Sequence, residues 1–109
     1  MTAFEINKIA LKIQSPDFQL QEELRVFLLE QIEKLGKIFN RIESCEVNLR
    51  INKSADHENC FVEAKIFVKG NMLFASGKSD SFHVASRIAF ADLHGQLSKF
   101  KDKVTDKSR

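Results

Sequence analysis

The sequence predicts one α+β domain, with two helices packed on one face of a four-stranded sheet. Four segments alternate apolar and polar residues, which is typical of half-buried strands, and two longer segments repeat apolar residues every three or four positions, which is typical of amphipathic helices. The chain of 109 residues can bury one core. The predicted order is β-α-β-β-β-α, with residues 1–103 in the domain and 104–109 in a short basic tail.

The first predicted strand covers about residues 7–14, where Ile9, Leu11 and Ile13 alternate with more polar neighbours. Pro16 ends it, because proline lacks a backbone N–H donor and biases the preceding residue away from helix. The first helix follows over about residues 21–39. Its apolar stripe consists of Leu24, Phe27, Leu28, Ile32, Leu35, Ile38 and Phe39.

Three further strands are predicted at about residues 44–52, 60–69 and 72–78. Gly70-Asn71 suits the tight turn of a hairpin between the last two. With these two residues as the loop, Phe67 lies opposite Phe74 on the face away from the helices. The same register gives the pairs Lys65–Ser76, Glu63–Lys78, Val68–Leu73, Ile66–Ala75 and Ala64–Gly77.

A second helix is predicted from about Phe82 to Phe100, with Asp80 and Ser81 as capping residues. Its stripe consists of Phe82, Ala85, Ala89, Leu93, Leu97 and Phe100, with Phe90 beside it. From Lys101 onward the periodicity is lost, and we expect the chain to fray.

Composition is that of a folded protein, and we expect it in the cytoplasm. Hydrophobic residues make up 43% of the chain and charged residues 29%. No apolar run is long enough to span a membrane, and Met1 to Ile6 lack the pattern of a signal peptide. We expect Cys45 in the core, about 20 Å from Cys60, so that no disulfide forms.

The sequence contains no glycine-rich phosphate loop, nucleophile elbow or HExxH motif, so we expect neither catalysis, a cofactor nor a small-molecule substrate. His57 and Cys60 have a spacing that two metal ligands could use, but no second pair stands nearby, and no metal site is predicted. His83 and His94, three helical turns apart, are interpreted as solvated or half-packed.

Basic residues are the stronger signal. Residues 1–33 carry three Lys or Arg against six Asp or Glu, whereas residues 34–109 carry fourteen against nine. Basic residues gather at the end of each predicted helix, so the two groups could form one surface that neutralises phosphates. The alternative is a pair of solvated helix ends, where cations are favoured by the helix dipole. The two groups are Lys34, Lys37 and Arg41, and Lys99, Lys101, Lys103, Lys107 and Arg109.

The outer sheet face carries Phe61, Phe67 and Phe74, with Met72 adjacent. Aromatic side chains on an open sheet can stack unpaired bases. No known aromatic motif of such readers is present, so we favour cross-strand stabilisation or self-association through Phe67 and Phe74.

Residues 21–42 and 72–103 resemble the ribosome hibernation promoting factor family, also called sigma-54 modulation or ribosome-associated inhibitor proteins. Its most specific matches are Leu24-Arg25, Glu33-Lys34-Leu35-x-Lys37, Ala75-Ser76-Gly77-Lys78 and Gln96-Leu97-x-Lys99. The resemblance implies a fold like that of double-stranded-RNA-binding domains. It also implies binding in the decoding region of the small ribosomal subunit and hibernation of idle ribosomes in stationary phase.

The family's basic, rRNA-binding positions correspond here to Arg25, Lys34, Lys37, Lys78, Lys99 and Lys101. The chain departs from the family at several positions. Asp92 and Gly95 stand where relatives often have Lys and Arg, and Arg87 stands at a position that is acidic or an amide in relatives. The second helix starts with Ser81-Phe82-His83, where relatives usually have Asp-Met/Leu-Tyr. We therefore expect fewer phosphate contacts than in a typical relative. The chain resembles the short class, without a second dimerising domain. The alternative function is a non-catalytic interaction domain that self-associates through its phenylalanine-bearing sheet.

Overall fold

The computed structural model describes the backbone of residues 2–6, 9–54 and 56–107, and the side chains of residues 9–54 and 56–103. The two helices and five strands follow one another in the order β1 (Thr2–Ile6), β2 (Ile9–Gln14), α1 (Glu22–Ile38), β3 (Ile42–Ile51), β4 (Cys60–Val68), β5 (Asn71–Ser79) and α2 (Phe82–Lys107).

The strands form one sheet in the order β1-β2-β3-β4-β5. Strands β2 and β3 are parallel, and every other neighbouring pair is antiparallel. A parallel pair needs a crossover connection, which α1 provides. The predicted α+β class and the predicted β-α-β-β-β-α order are confirmed for residues 9–107.

The predicted strand count of four is wrong, because β1 adds a fifth strand. It pairs antiparallel with β2, with Phe4 opposite Leu11. Phe4 and Ile6 alternate with Ala3 and Glu5, but five residues give too short a pattern to recognise in sequence. Pairing with β1 gives hydrogen-bond partners to an edge of β2 that the four-stranded arrangement would leave open.

The core lies between the sheet and the helices. One face of β2, β3 and β4 is buried, and so are Leu24, Leu28, Ile32 and Leu35 of α1, as their spacing predicts. Gly36 of α1 lies 3.5 Å, measured from an ideal Cβ, from Ile9 Cδ1 of β2. Cys45 is fully buried, and both cysteines are free, as expected.

The β4–β5 hairpin turns one residue earlier than predicted. Val68 pairs with Asn71, so Lys69 and Gly70 form the loop, with φ values of 47° and 78°. Two positive φ values are those of a type I′ turn, which has glycine at its second position. The predicted pairs are therefore wrong: Phe67 lies opposite Met72, and Phe74 lies opposite Lys65. Each partner shifts by two residues, so the assignment of residues to faces is correct.

Helix α2 packs on β5 and β4 and extends past Phe100 to Lys107, so the predicted fraying from Lys101 is wrong. Val104, four residues after Phe100, continues the apolar spacing and was missed as a helix signal. At Gly77 of β5, an added Cβ would overlap the Ala85 carbonyl oxygen and lie 3.0 Å from the Ala89 nitrogen. Helix and strand thus approach as closely as glycine allows. Ser108 and Arg109 of the predicted tail lie outside the described residues.

Candidate nucleic-acid interface

The two helices lie side by side and run in the same direction. Near their starts, the rings of Phe27 and His83 are 5.1 Å apart. Near their ends, the rings of Phe39 and Phe100 meet edge to face at 5.7 Å. The carboxyl-terminal parts of α1 and α2 therefore lie at the same end of the molecule.

Four of the six predicted rRNA-binding residues lie in the carboxyl-terminal halves of the two helices, and we call them the helix-end surface: Lys34, Lys37, Lys99 and Lys101. At 100° per residue, Lys99 and Lys101 leave α2 on different sides. All four side chains are exposed. Lys37 lies in the last turn of α1, where the backbone carbonyls carry partial negative charge and favour cations. Lys99 and Lys101 lie eight and six residues before the end of α2, outside its last turn. Arg41 and Lys103 are exposed beside the same helix ends. That the two basic groups form one phosphate-binding surface stays a prediction.

Arg25 stands apart from the helix-end surface. It lies near the start of α1, nine residues before Lys34, so at 100° per residue the two side chains leave opposite sides of the helix. Its guanidinium binds Glu22 at 2.7 Å. The hydrogen bond from Arg25, aided by its charge, lowers the pKa of the Glu22 carboxyl. This pair is the only ion pair within 4.0 Å among the described side chains, which leaves the four lysines available for other anions.

Lys78 is also separated from that surface. It lies on the sheet face turned away from the helices, opposite Phe61 in register. Its neighbour Gly77 packs beneath Ala85 near the start of α2, whereas Lys99 lies near the helix end. The two lysines therefore occupy different faces and opposite ends of the molecule.

A shallow groove runs between the end of α2 and β5. Leu73 and Phe100 provide its apolar part, and Gln96, Lys99, Asp102 and Lys103 line the rest. The Gln96 side-chain amide donates a 2.8 Å hydrogen bond to the Phe74 carbonyl oxygen, which fixes the helix against this strand. Lys99 and Lys103 thus line one side of this open groove.

A smaller depression on α1 is mixed in charge, with Glu30 and Glu33 beside Lys34 and Lys37. These carboxylates reduce the positive potential of the helix-end surface on the α1 side. Phosphate binding there therefore depends on the lysines reaching outward from the helix.

The outer face of the sheet carries Phe61, Phe67 and Phe74, as predicted. Phe74 is 42% exposed and Met72 52% exposed, while Phe61 and Phe67 are half-buried. This face also carries Lys12, Arg50 and Lys65, to which no binding role was assigned from the sequence, although the predicted register already placed Lys65 here. Their signal was available, because each occupies the polar position of an alternating strand.

Both cysteines are free thiols. Burial raises the pKa of the Cys45 thiol to about 12 and also raises that of Cys60. The Cys60 thiol lies 3.5 Å from the Asp80 carbonyl oxygen. In the described part of the chain, no group of three or more His, Cys, Asp or Glu side chains could hold a metal ion.

Neither helix, within the residues described, combines the length and apolar character needed to cross a bilayer.

Comparison with known proteins gives one family. The family model described as "Sigma 54 modulation protein / S30EA ribosomal protein" matches residues 11–105. The ribosome hibernation promoting factor of Escherichia coli K12 is 30% identical over 94 residues, which cover 86% of this chain and 95% of that protein. The factor of the same name from Shigella flexneri matches equally well.

Two solved structures share the fold. The ribosomal subunit interface protein of Coxiella burnetii superposes with a TM-score of 0.74 at 20% identity, over 84% of this chain and 97% of that one. The N-terminal domain of Protein Y from Thermus thermophilus superposes with a TM-score of 0.71 at 15% identity, over 82% and 94% of the two chains.

Proposed function

Because the chain belongs to the sigma 54 modulation protein / S30EA ribosomal protein family, we propose that it binds the ribosome and keeps idle ribosomes inactive. The observation that supports binding through the helix ends is the packing of Phe39 on Phe100. This contact places the basic carboxyl-terminal parts of α1 and α2 side by side. The site of action is the cytoplasm, where ribosomes are found. The chain contributes binding, with no catalytic step.

The helix-end surface binds ribosomal RNA through its phosphates. Lys34 and Lys37 on one helix and Lys99 and Lys101 on the other present amines to the backbone of the small-subunit RNA. Each phosphate that a lysine neutralises releases counterions, so the affinity falls as salt rises. Bound in the decoding region, the domain occupies the space that messenger and transfer RNA need, and initiation is blocked.

The remaining two predicted residues have weaker support. Arg25 is held by Glu22 on the opposite side of α1 from Lys34. Lys78 faces away from both helices. A ribosome that touches the helix-end surface would reach these two residues only by wrapping around the domain.

The test is the double variant Lys34→Gln and Lys37→Gln, measured for binding to purified small subunits over a range of salt concentrations. We expect weaker binding and a slope of log affinity against log salt that is smaller by about one to two units. The melting temperature should be nearly unchanged, because exposed charges on a helix contribute little to stability.

The matched control is Lys53→Gln with Lys69→Gln, which removes the same charge from two exposed loop positions. It should bind like the parent apart from a small uniform loss. If the helix variant bound as tightly as the parent at every salt concentration, the helix-end surface would not be the contact.

Sedimentation of cell extracts separates this function from the alternative of a self-associating interaction domain. A hibernation factor should travel with ribosomal particles in stationary phase. A self-associating domain would stay near the top of the gradient, and a variant at Phe67 and Phe74 would change its size in solution.

A further inference from the structure

The sheet face turned away from the helices, which we call the outer face, has a chemistry that ribosome binding by the helix ends does not use. Residues of β2 to β5 line up across it in register. One row is Arg50, Phe61 and Lys78, which places a ring between two cations. The next row but one is Lys12, Glu46, Lys65 and Phe74. Each of these two rows therefore carries an aromatic ring and two cations.

The rings of this face are not used to stabilise one another. Among the described residues, the ring contacts are Phe18–Phe82, Phe27–His83 and Phe39–Phe100, and all involve residues outside the sheet. The cross-strand pair of Phe67 with Phe74 does not exist, since Phe67 lies opposite Met72. From the strand geometry the Cα atoms of Phe67 and Phe74 are about 8 Å apart, and those of Phe61 and Phe74 about 14 Å.

The net charge of the outer face favours a polyanion over a second copy of this chain as the molecule that binds there. The described residues of this face include two carboxylates, Glu46 and Glu63, against four cations, Lys12, Arg50, Lys65 and Lys78. A second copy packed face to face would oppose two surfaces of the same sign. A polyanion would be attracted, and unpaired bases could stack on the rings while the cations meet the phosphates.

We infer that the outer face is a second binding surface, which takes single-stranded nucleic acid by stacking bases on Phe61, Phe67 and Phe74. The inference is independent of ribosome binding by the helix ends. Lys78, which the helix-end surface excludes, contacts phosphate here beside Phe61. The domain can then hold a single strand on one face and structured RNA on the other.

The experiment measures fluorescence anisotropy of a labelled octauridylate, rU8, titrated with the full chain at low salt. The variant Phe67→Leu with Phe74→Leu keeps apolar side chains in the strands but removes both rings. We expect its affinity to fall by about fivefold or more for each ring. Lys78→Gln should reduce the salt slope by about 0.7, the contribution of one phosphate of a single strand.

Two controls separate stacking from folding. Phe74→Tyr keeps an aromatic ring and should bind like the parent. Val26→Ala shortens an exposed apolar side chain of α1, far from the outer face, and should also bind like the parent. A self-complementary RNA duplex of equal length should bind less tightly than rU8, because its bases are already stacked.

Three outcomes would overturn the inference. The first is no binding of rU8 at low salt. The second is binding that the leucine double variant leaves intact and that Lys34→Gln with Lys37→Gln abolishes, since the strand would then lie on the helices. The third is a dimer in analytical ultracentrifugation that dissociates in the leucine variant, which would show that a second copy covers the face. Ribosome binding by the leucine variant should match that of the parent.

Discussion

The burial of Cys45 makes the stability of the fold depend on pH, because it raises the pKa of the thiol. Cys45 lies fully buried in β3, and burial raises the pKa of its thiol from 9.0 to about 12. The unfolded chain releases this proton first, so the folded state loses stability as pH rises between these two values. We expect the free energy of unfolding to fall by roughly 1.4 kcal/mol per pH unit above pH 9 from this residue. Urea unfolding between pH 8 and 10.5 measures it.

The control for this prediction is Cys45→Ala. It should be less stable at neutral pH because it leaves a cavity, but its stability should vary less with alkaline pH. Parallel pH profiles for the parent and the alanine variant would show that the thiol does not titrate as described.

The hydrogen-bond partner of the Asp80 carboxylate could not be predicted from the residue type alone. As a capping residue beside Ser81, Asp80 was expected to serve the start of α2. Ser81 does so, because its hydroxyl accepts a 3.4 Å hydrogen bond from the Val84 N–H. The Asp80 carboxylate instead accepts a 2.6 Å hydrogen bond from the N–H of Glu58, whose φ is 50°. It thereby ties the loop before β4 to the loop after β5, a long-range contact that local spacing does not contain.

At the scale of the elements, hydrophobic periodicity was sufficient for α1, for α2 as far as Phe100, for four strands and for the faces of the sheet. The last seven residues of α2 were missed. Periodicity was insufficient for the register of the β4–β5 hairpin. Loops at Lys69-Gly70 and at Gly70-Asn71 place the same residues on each face of the sheet, so the alternation cannot distinguish them. Lys69, the first loop residue, has a positive φ of 47°. The Asn71 side-chain amide donates a 3.1 Å hydrogen bond to the Lys69 carbonyl oxygen. Likewise, the position of the four lysines near the helix ends could be predicted from the sequence, but the separation of Arg25 and Lys78 from them required the three-dimensional arrangement.

The packing of α2 on β5 depends on the missing side chain of Gly77. In Gly77→Ala the new methyl group would overlap the backbone of Ala85, so the helix must move away from the strand. We expect the free energy of unfolding to fall by about 2 kcal/mol, as for other overpacked sites. Urea denaturation gives the value, and the slope of the transition shows whether it remains two-state.

Gly95→Ala in the same helix is the matched comparison. Nothing lies within 4 Å of an added Cβ there, so the gain in helix propensity is unopposed. This variant should be more stable than the parent by about 1 kcal/mol. A destabilised Gly95→Ala, or a Gly77→Ala as stable as the parent, would contradict the described helix packing.

At the scale of the whole molecule, parallel helices set the charge distribution, because they bring both carboxyl-terminal ends to one side. Asp92 and Gly95 are exposed on α2, seven and four residues before Lys99. We expect Asp92→Lys with Gly95→Arg to bind small subunits more tightly and with a salt slope steeper by up to about two units. Filter binding over a salt series measures both quantities.

A control with the same change in charge is Asp56→Lys with Ser54→Arg, in the exposed loop between β3 and β4. It should raise affinity only slightly. If both variants gained equally, overall charge rather than the position on α2 would govern binding.

The parallel pairing of β2 with β3 has a consequence for how the chain acquires its structure. β2 ends at Gln14, and its partner β3 begins at Ile42, after the whole of α1. A two-stranded β1–β2 ribbon is marginal in water on its own, so during synthesis it must wait for β3 to emerge. The sheet face that packs against the helices is fully covered only when α2, the last element described, has been made. Folding of this domain in a nascent chain is therefore completed only after α2 has emerged, as a concerted step rather than element by element.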